Sequence, residues 1–226
     1  MKRFFITLFF TALVSLPLSI NAQSQSNAHA NHATAAGKAQ IQEGQHYIRM
    51  ETPLKVSTGD KIEVREMFWY GCPHCNQLEP TIINWLKTKP ENAEFIPMPA
   101  VFSQRWIFHA KVYYTLKALG IEEKAHPMVF ESIHSKRKPI NNTKQLTKFL
   151  KANFDIDASK VESAYNSFTV DSNMRSANAY SVKSGANGVP TIIVDGKFRT
   201  SVQAAGGNNQ LFAVVDQLVA LAQSER

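Results

Sequence analysis

The 226-residue sequence predicts an α/β fold in which a block of helices interrupts a β-rich framework. Three stretches predict it. An apolar, β-favouring run from Ile62 to Tyr70 stops at Gly71 and gives way to a helical stripe of Leu78, Ile82, Trp85 and Leu86. Helical spacing then dominates up to Ser184. The chain finally returns to two short β runs joined by Asp195-Gly196, which supplies the positive φ angles of a two-residue turn, and ends on one amphipathic helix.

Taken from its start, the chain shows Lys2 and Arg3, an apolar stretch from Phe4 to Leu18, and Ile20-Asn21-Ala22 as a processing site. Residues 1–22 therefore read as a secretory signal peptide, too short and wrongly flanked for a lasting transmembrane helix. An uncleaved anchor is the alternative, because Ile20 suits its position less well than Ala. No later apolar run approaches membrane-spanning length. Removing the signal removes two cations and no acid, so the formal charge falls from +7 to +5. Such mild, dispersed basicity argues for no nucleic-acid or lipid partner. Its densest run, Lys136-Arg137-Lys138, reads as a solvated helix end. Residues 23–40 carry almost no large apolar side chain and cannot offset their ordering entropy by burial, so they read as a disordered polar leader. His29 and His32 within it are linker residues on this reading.

Residues 41–101 read as the first part of the α/β domain. Tyr47 to Met50 is an edge strand, Ser57 to Lys61 a turn, and Ile62 to Tyr70 a central strand. Cys72 to Lys87 is a helix, which Pro80 should kink by removing a backbone hydrogen bond. Glu94 to Met98 completes a βαβ unit with a right-handed crossover. Residues 102–184 form the helical insertion. Its helices are Trp106–Leu119, ended by Gly120, then Glu122–His134 with Pro127 near its start. A third begins at the capping box Asn142-x-x-Gln145 and runs to about Asn153; Asp157–Phe168 and Ser172–Ser184 follow. Residues 185–226 are the second part of the α/β domain: strands Thr191–Val194 and Lys197–Thr200, and a helix over 208–223 with Leu211, Val214, Val215, Leu218 and Ala222 inward.

The chemistry lies in Cys72-Pro73-His74-Cys75, which holds both cysteines of the protein. A C-x-x-C at a helix start meets unpaired N–H groups and the positive end of the helix dipole, which favour thiolate over thiol. Pro73 fits the first turn, where the N–H it lacks would have no intrahelical partner. Structural zinc usually takes four Cys or His ligands, and no second pair stands at suitable spacing, so no metal is expected. A structural bridge across so short a loop would stabilise weakly. Redox chemistry is the better reading. Cys72, nearer the helix start, is the expected nucleophile, and Cys75 the resolving thiol. His74 between them can hydrogen-bond or attract the thiolate, unless it is a bystander surface residue. Glu66, six residues before Cys72 in an otherwise apolar strand, and Glu79, four after Cys75 on the same helical face, could move a proton during exchange. The bland alternative leaves Glu66 on a solvent-facing strand position and Glu79 exposed.

Cys72-Pro73-His74-Cys75 at a strand-to-helix turn, a helical insertion after the second strand, and Gly188-Val189-Pro190-Thr191 before the hairpin together resemble the DsbA family of periplasmic thiol:disulfide oxidoreductases. The resemblance covers about Tyr47 to Gln223. It implies a thioredoxin fold with an inserted helical domain, in a monomeric periplasmic dithiol oxidase without a cofactor. Such an enzyme donates its Cys72–Cys75 disulfide to reduced, newly exported proteins and is reoxidised by a DsbB-like membrane partner. It also implies a cis Pro190 facing the dithiol, with the Val189 backbone free to pair with a client chain; from sequence alone an X-Pro bond is usually trans. Glu66 and Glu79 match acidic residues beneath the family's active site. A lysine that can accompany those acids has no counterpart in Phe95-Ile96-Pro97-Met98-Pro99, so charge compensation must differ, and Pro80 is a feature shared with thioredoxins. The competing functions are an exported reductase or isomerase, and a chaperone-like binding module with an incidental dithiol.

Overall fold

Seven consecutive residues that are almost wholly shielded from water, Ile62–Phe68 (β2), form the strand around which the rest packs. The computed structural model describes residues 40–226, so the signal segment at 1–22 and nearly all of the leader at 23–40 lie outside the described residues. Before β2 comes a two-residue edge strand, Ile48–Arg49 (β1); after it come helix Pro73–Leu86 (α1) and strand Ala93–Pro99 (β3). Five helices follow: Gln104–Ala118 (α2), Glu122–His134 (α3), Thr143–Phe154 (α4), Ala158–Tyr165 (α5) and Phe168–Lys183 (α6). Strands Thr191–Val194 (β4) and Phe198–Ser201 (β5), a short helix Val202–Ala205 (α7) and helix Asn208–Ser224 (α8) close the chain.

The sheet runs β1-β5-β4-β2-β3 among the described residues, with β2 parallel to β3 and every other pair antiparallel. This is the thioredoxin arrangement, with α2 to α6 inserted between β3 and β4. Strand periodicity puts Ile62 and Val64 on one face of β2, where they pack with Leu78, Ile82 and Trp85 of α1 and Leu211, Val215 and Leu218 of α8. Met67 points to the other face and joins Ala110 of α2, Ala177 of α6 and Ile193 of β4. A further core under the inserted helices contains Phe68, Tyr70 and both cysteines. The dithiol thus sits where the sheet, α1 and the insertion meet.

Several element ends differ from expectation, each for a local reason. β2 stops at Phe68, two residues early, because β3 ends opposite it at Pro99 and Trp69 accepts the turn-forming hydrogen bond from Cys72 N–H at 2.8 Å. The helix expected from Asp157 to Phe168 is two elements. Asp157 does not cap α5 with its side chain; its carboxylate pairs with Lys151 at 2.8 Å, and α5 ends at Tyr165. Ser167 then starts α6, its hydroxyl accepting from Val170 N–H at 3.3 Å, so Phe168 opens α6 and the helix expected from Ser172 begins four residues earlier. The capping box at α4 forms, but Gln145 reaches back to the N–H of Asn141 (2.7 Å) while Asn142 accepts from Gln145 N–H (2.9 Å). Neither proline breaks its helix: α1 continues through Pro80 and α3 through Pro127. α7, capped by the Ser201 hydroxyl, was not anticipated.

The β4–β5 turn has the expected left-handed pair, Asp195 at φ 52° and Gly196 at φ 65°. A Cβ on Gly196 would also run into the carbonyl of Leu54, whose N–H donates to the Gly196 carbonyl at 2.9 Å. Gly196→Ala should therefore lower stability by more than the ~1 kcal/mol of a purely conformational glycine substitution. Gly120→Ala, at φ 68° with open space around the new methyl, isolates that conformational part. Urea-denaturation midpoints of the two variants would compare them directly.

Candidate active site

The alternation that buries Ile62 and Val64 beneath α1 carries Glu66 to the same face, directly under the helix that holds both cysteines. Glu66 is fully buried, and neither of its carboxyl oxygens has a hydrogen-bond partner among the described residues. Glu63, also fully buried, shows what a satisfied carboxylate looks like here. It accepts from Ser57 N–H and hydroxyl at 2.8 Å each and from Arg65 Nε at 2.7 Å. Burial first, and then the charges of Glu79 and Cys72, push Glu66 well above the ordinary carboxyl range. The solvent-facing alternatives for Glu66 and Glu79 do not hold: Glu79 is 8 % exposed.

Cys72 is the N-cap of α1, with extended backbone at φ −89° and ψ 116°, and its Sγ accepts from Cys75 N–H at 3.4 Å. Pro73 takes the first helical position, as its missing N–H allows. The Cys75 thiol acts as donor to Cys72, the N–H groups of Cys75 and His74 add to it, and the His74 side chain contributes charge. Together they outweigh burial and lower Cys72 to about 6. Burial drives Cys75 the other way, far above the ordinary thiol range, helped by its bond to Cys72 and the negative charge of Glu66. Cys72 keeps 7 % exposure and Cys75 none, so an incoming group meets Cys72.

Opposite the dithiol the Val189–Pro190 peptide is cis, and the Cys72 thiol donates to the Val189 carbonyl at 3.5 Å. An ionised Cys72 has no proton to give, which releases that carbonyl. Beside it runs a groove of about 810 Å³ lined by His74, Gln77, Val189, Pro190, Gln203 and Asn208 among others, with no Asp, Glu, Lys or Arg in its lining. His74 and Pro73 are exposed. The structure thus gathers every residue singled out in the sequence: Cys72, Pro73, His74 and Cys75 at the helix start, Glu66 and Glu79 beneath, Val189 and Pro190 across from it.

Three neighbours escaped the sequence reading. Tyr70 directs its hydroxyl at His126 Nδ1 (2.8 Å), its carbonyl accepts from His134 Nε2 (2.8 Å), and His126 Nε2 lies 3.4 Å from Glu79 Oε1. The segment from Ser201 to Gln210, which walls the groove, was also missed, because its residues are small and polar and carry no motif.

A family model described as a DSBA-like thioredoxin domain matches residues 96–219, more than half of the chain. The thiol:disulfide interchange protein DsbA of Pseudomonas aeruginosa is 38 % identical over 176 residues, 78 % of this chain and 83 % of its own length. A stretch of that length cannot be laid on this chain without including Cys72 to Cys75. The chain belongs to the DsbA family. The DsbA of Azotobacter vinelandii is 37 % identical over 187 residues, covering 83 % and 87 %. Crystallographic P. aeruginosa DsbA superposes with a TM-score of 0.77 at 35 % identity, over 82 % of this chain and 96 % of that one. DsbA from Xylella fastidiosa gives 0.75 at 27 %, over 81 % and 98 %. As a DsbA-family protein this chain is a thiol:disulfide oxidoreductase.

Two expectations follow from the electrostatics. A group whose folded value is depressed stabilises the fold fully above its ordinary value and loses that effect as pH falls through its folded value. The reduced form should therefore gain stability over the disulfide form as pH rises from about 6 to about 9, with the Cys72 thiolate absorbance appearing near pH 6. Glu66 has the opposite sign, since the unfolded chain ionises it before the folded one does. In the disulfide form, where neither thiol titrates, Glu66→Gln should gain on the parent protein as pH rises above the ordinary carboxyl range, by at most about 1.4 kcal/mol per pH unit. Urea denaturation of both redox forms across pH tests each.

Proposed function

We propose that the protein is a dithiol oxidase that donates its Cys72–Cys75 disulfide to newly exported proteins. The asymmetry of the two sulfurs carries this reading: one is stabilised as an anion and reachable, the other is buried and held as a thiol. A client thiolate attacks Cys72 Sγ, the Cys72–Cys75 bond breaks, and Cys75 leaves with the electron pair and takes up a proton. A second client thiolate then attacks the client sulfur of the mixed disulfide, and Cys72 departs as the thiolate. The client gains one disulfide and the enzyme becomes the dithiol. Stabilising that final thiolate favours the reduced enzyme, which makes the disulfide oxidising.

Pro73 and His74 tune Cys72 in this scheme, and Glu66 and Glu79 serve the proton on Cys75. Val189 and Pro190 present main chain to an extended client, a contact indifferent to side-chain identity that suits many substrates. The groove beside them, lined by no Asp, Glu, Lys or Arg, would accommodate the client's flanking residues. The signal segment 1–22 would direct a monomer to the periplasm, behind a polar leader at 23–40. There the α/β domain of residues 41–101 and 185–226, with its insertion 102–184, would be reoxidised by a DsbB-like membrane protein.

Cys75→Ser should accumulate mixed disulfides with exported proteins through Cys72, and Cys72→Ser should accumulate none; a binding module with an incidental dithiol would trap neither way. Equilibration with glutathione separates oxidase from reductase. An oxidase should remain mostly dithiol even in a buffer oxidising enough to keep ordinary structural cysteines bridged.

A further inference from the structure

A cleft of about 460 Å³ opens between α3 and α4 of the insertion, and it shares no residue with the groove beside the dithiol. α3 packs on α1 and α2 while α4 packs on α5, so the two helices do not close on each other. Met128 from α3, Phe149 from α4 and the buried Ile140 give the cleft apolar walls. Its rim is cationic. Lys136, Arg137 and Lys138 come from the loop after α3, and Lys148 comes from the middle of α4. No Asp or Glu lines it among the described residues. Lys136 pairs with Glu131 at 2.9 Å, whereas Arg137, Lys138 and Lys148 have no acidic partner among the described residues.

Taken alone, Lys136-Arg137-Lys138 suits the end of α3, where cations meet the negative pole of a helix, and the sequence reads it as solvated. That reading leaves Lys148 and the apolar walls unexplained, because a second helix brings its own cation and its own ring to the same cleft. Nor is the loop loose. Lys138 N–H donates to the Ser132 carbonyl at 2.8 Å, and the Ser132 hydroxyl donates to the Lys138 carbonyl at 3.0 Å. His109 Nε2 donates to the Ile140 carbonyl at 3.0 Å, and Asn141 N–H to Gln145 Oε1 at 2.7 Å. Arg137, held among these bonds, has φ 52°, a left-handed backbone that arginine rarely adopts. A loop whose backbone is fixed before a ligand arrives loses little freedom when one binds.

Unpaired cations above uncovered apolar walls match a molecule that carries the converse of each. We propose that the cleft binds an anionic amphiphile, with its apolar chain between α3 and α4 and its carboxylate or phosphate head at Arg137, Lys138 and Lys148. A guanidinium can hold such a head through two parallel hydrogen bonds, and the ammonium groups add point charges. A cleft of this size, bounded by two helices and a loop, fits a free small molecule rather than a membrane face.

The test is a titration with decanoate, followed through the NMR methyl resonances of Met128, Ile140 and Ala152, which all line the cleft. Decanoate should move the three together and saturate. Decyltrimethylammonium keeps the chain and reverses the head, while butyrate and inorganic phosphate keep the charge with little or no chain; none of the three should saturate the site. Lys148→Glu and Arg137→Gly should each weaken decanoate about 10-fold, the loss of one charge-assisted hydrogen bond. Glycine suits the left-handed backbone at 137, so the loop keeps its shape. Ala152→Trp should block the cleft without changing its charge. Lys183→Glu makes an equal charge change at the exposed end of α6 and should leave binding as it is. The proposal is overturned if decanoate leaves the methyl groups unmoved, or if decyltrimethylammonium, butyrate or phosphate binds as well as decanoate. It also fails if Lys183→Glu weakens binding as much as Lys148→Glu, which general attraction would produce. Sedimentation of the protein with phosphatidylglycerol vesicles, without binding of free decanoate, would assign the cations to a membrane surface and overturn it too. Should a variant fail to fold, the four ligands compared on the parent protein decide by themselves.

Discussion

A negative charge held on Cys72 at the open end of α1 is the interaction on which the rest depends. The sulfur caps the helix, so groups that would otherwise be orphan donors are directed at it, and the Cys75 thiol one turn on adds another. Each of these donors serves an anion better than a neutral thiol or a bridged sulfur. The helix is thus better capped in the reduced state, and a capping interaction becomes a redox bias. At Cys75 only the Trp69 backbone favours the anion, and burial among apolar side chains beside the unpaired carboxyl of Glu66 outweighs it. Two sulfurs three residues apart acquire opposite acidities because one lies at the mouth of the helix and the other inside it.

Glu66 is the cost of that arrangement. The same strand holds Glu63 and Glu66 to two different standards: Glu63 is fully bonded to Ser57 and Arg65, and Glu66 is bonded to nothing described. A buried carboxyl without donors stays protonated, and a protonated carboxyl near a high-pKa thiol can trade its proton in either direction. In the proposed exchange, the deficiency that weakens the fold at this position suits Glu66 to hold or give that proton. Its neighbour Glu79 faces the His126 ring, whose Nε2 lies 3.4 Å from Oε1.

Most of this could be read from residues alone where the determinants are local. The Cys72–Cys75 turn, the Asp195-Gly196 hairpin, the span of α3 and the Asn142 cap all rest on neighbours within a few positions, and each stands as expected. The Asp157 helix was misjudged because no Gly or Pro marks the turn at Asn166-Ser167, and the division shows only where the Ser167 hydroxyl accepts from Val170 N–H. Whether Glu66 was buried depended on β3 and β4 covering both edges of β2 while α1 covered its face. The partner of Glu79 could not be foreseen, since His126 stands on a separate helix where a lone histidine among Ala125, Val129 and Phe130 looks like any core residue. The ring that faces Glu79 comes from the insertion.

That last point changes what the inserted helices are for. Of the three residues that join β2 to the dithiol, two are set by them directly and the third through Trp69. Trp69 lies stacked on Trp106 of α2, with centroids 4.6 Å apart and planes within 4°. Tyr70 is gripped at both ends by α3, its hydroxyl by His126 and its carbonyl by His134. Gly71 lies so close against the Trp69 indole that a side chain would collide with it. A turn held this way fixes the point at which α1 begins, and therefore the direction of the N–H groups that meet Cys72. Strain or loosening in the insertion would reach the sulfur through these contacts without touching the cysteines. The α/β framework supplies the helix and the strand, and the inserted helices hold the joint between them at the angle the thiolate needs.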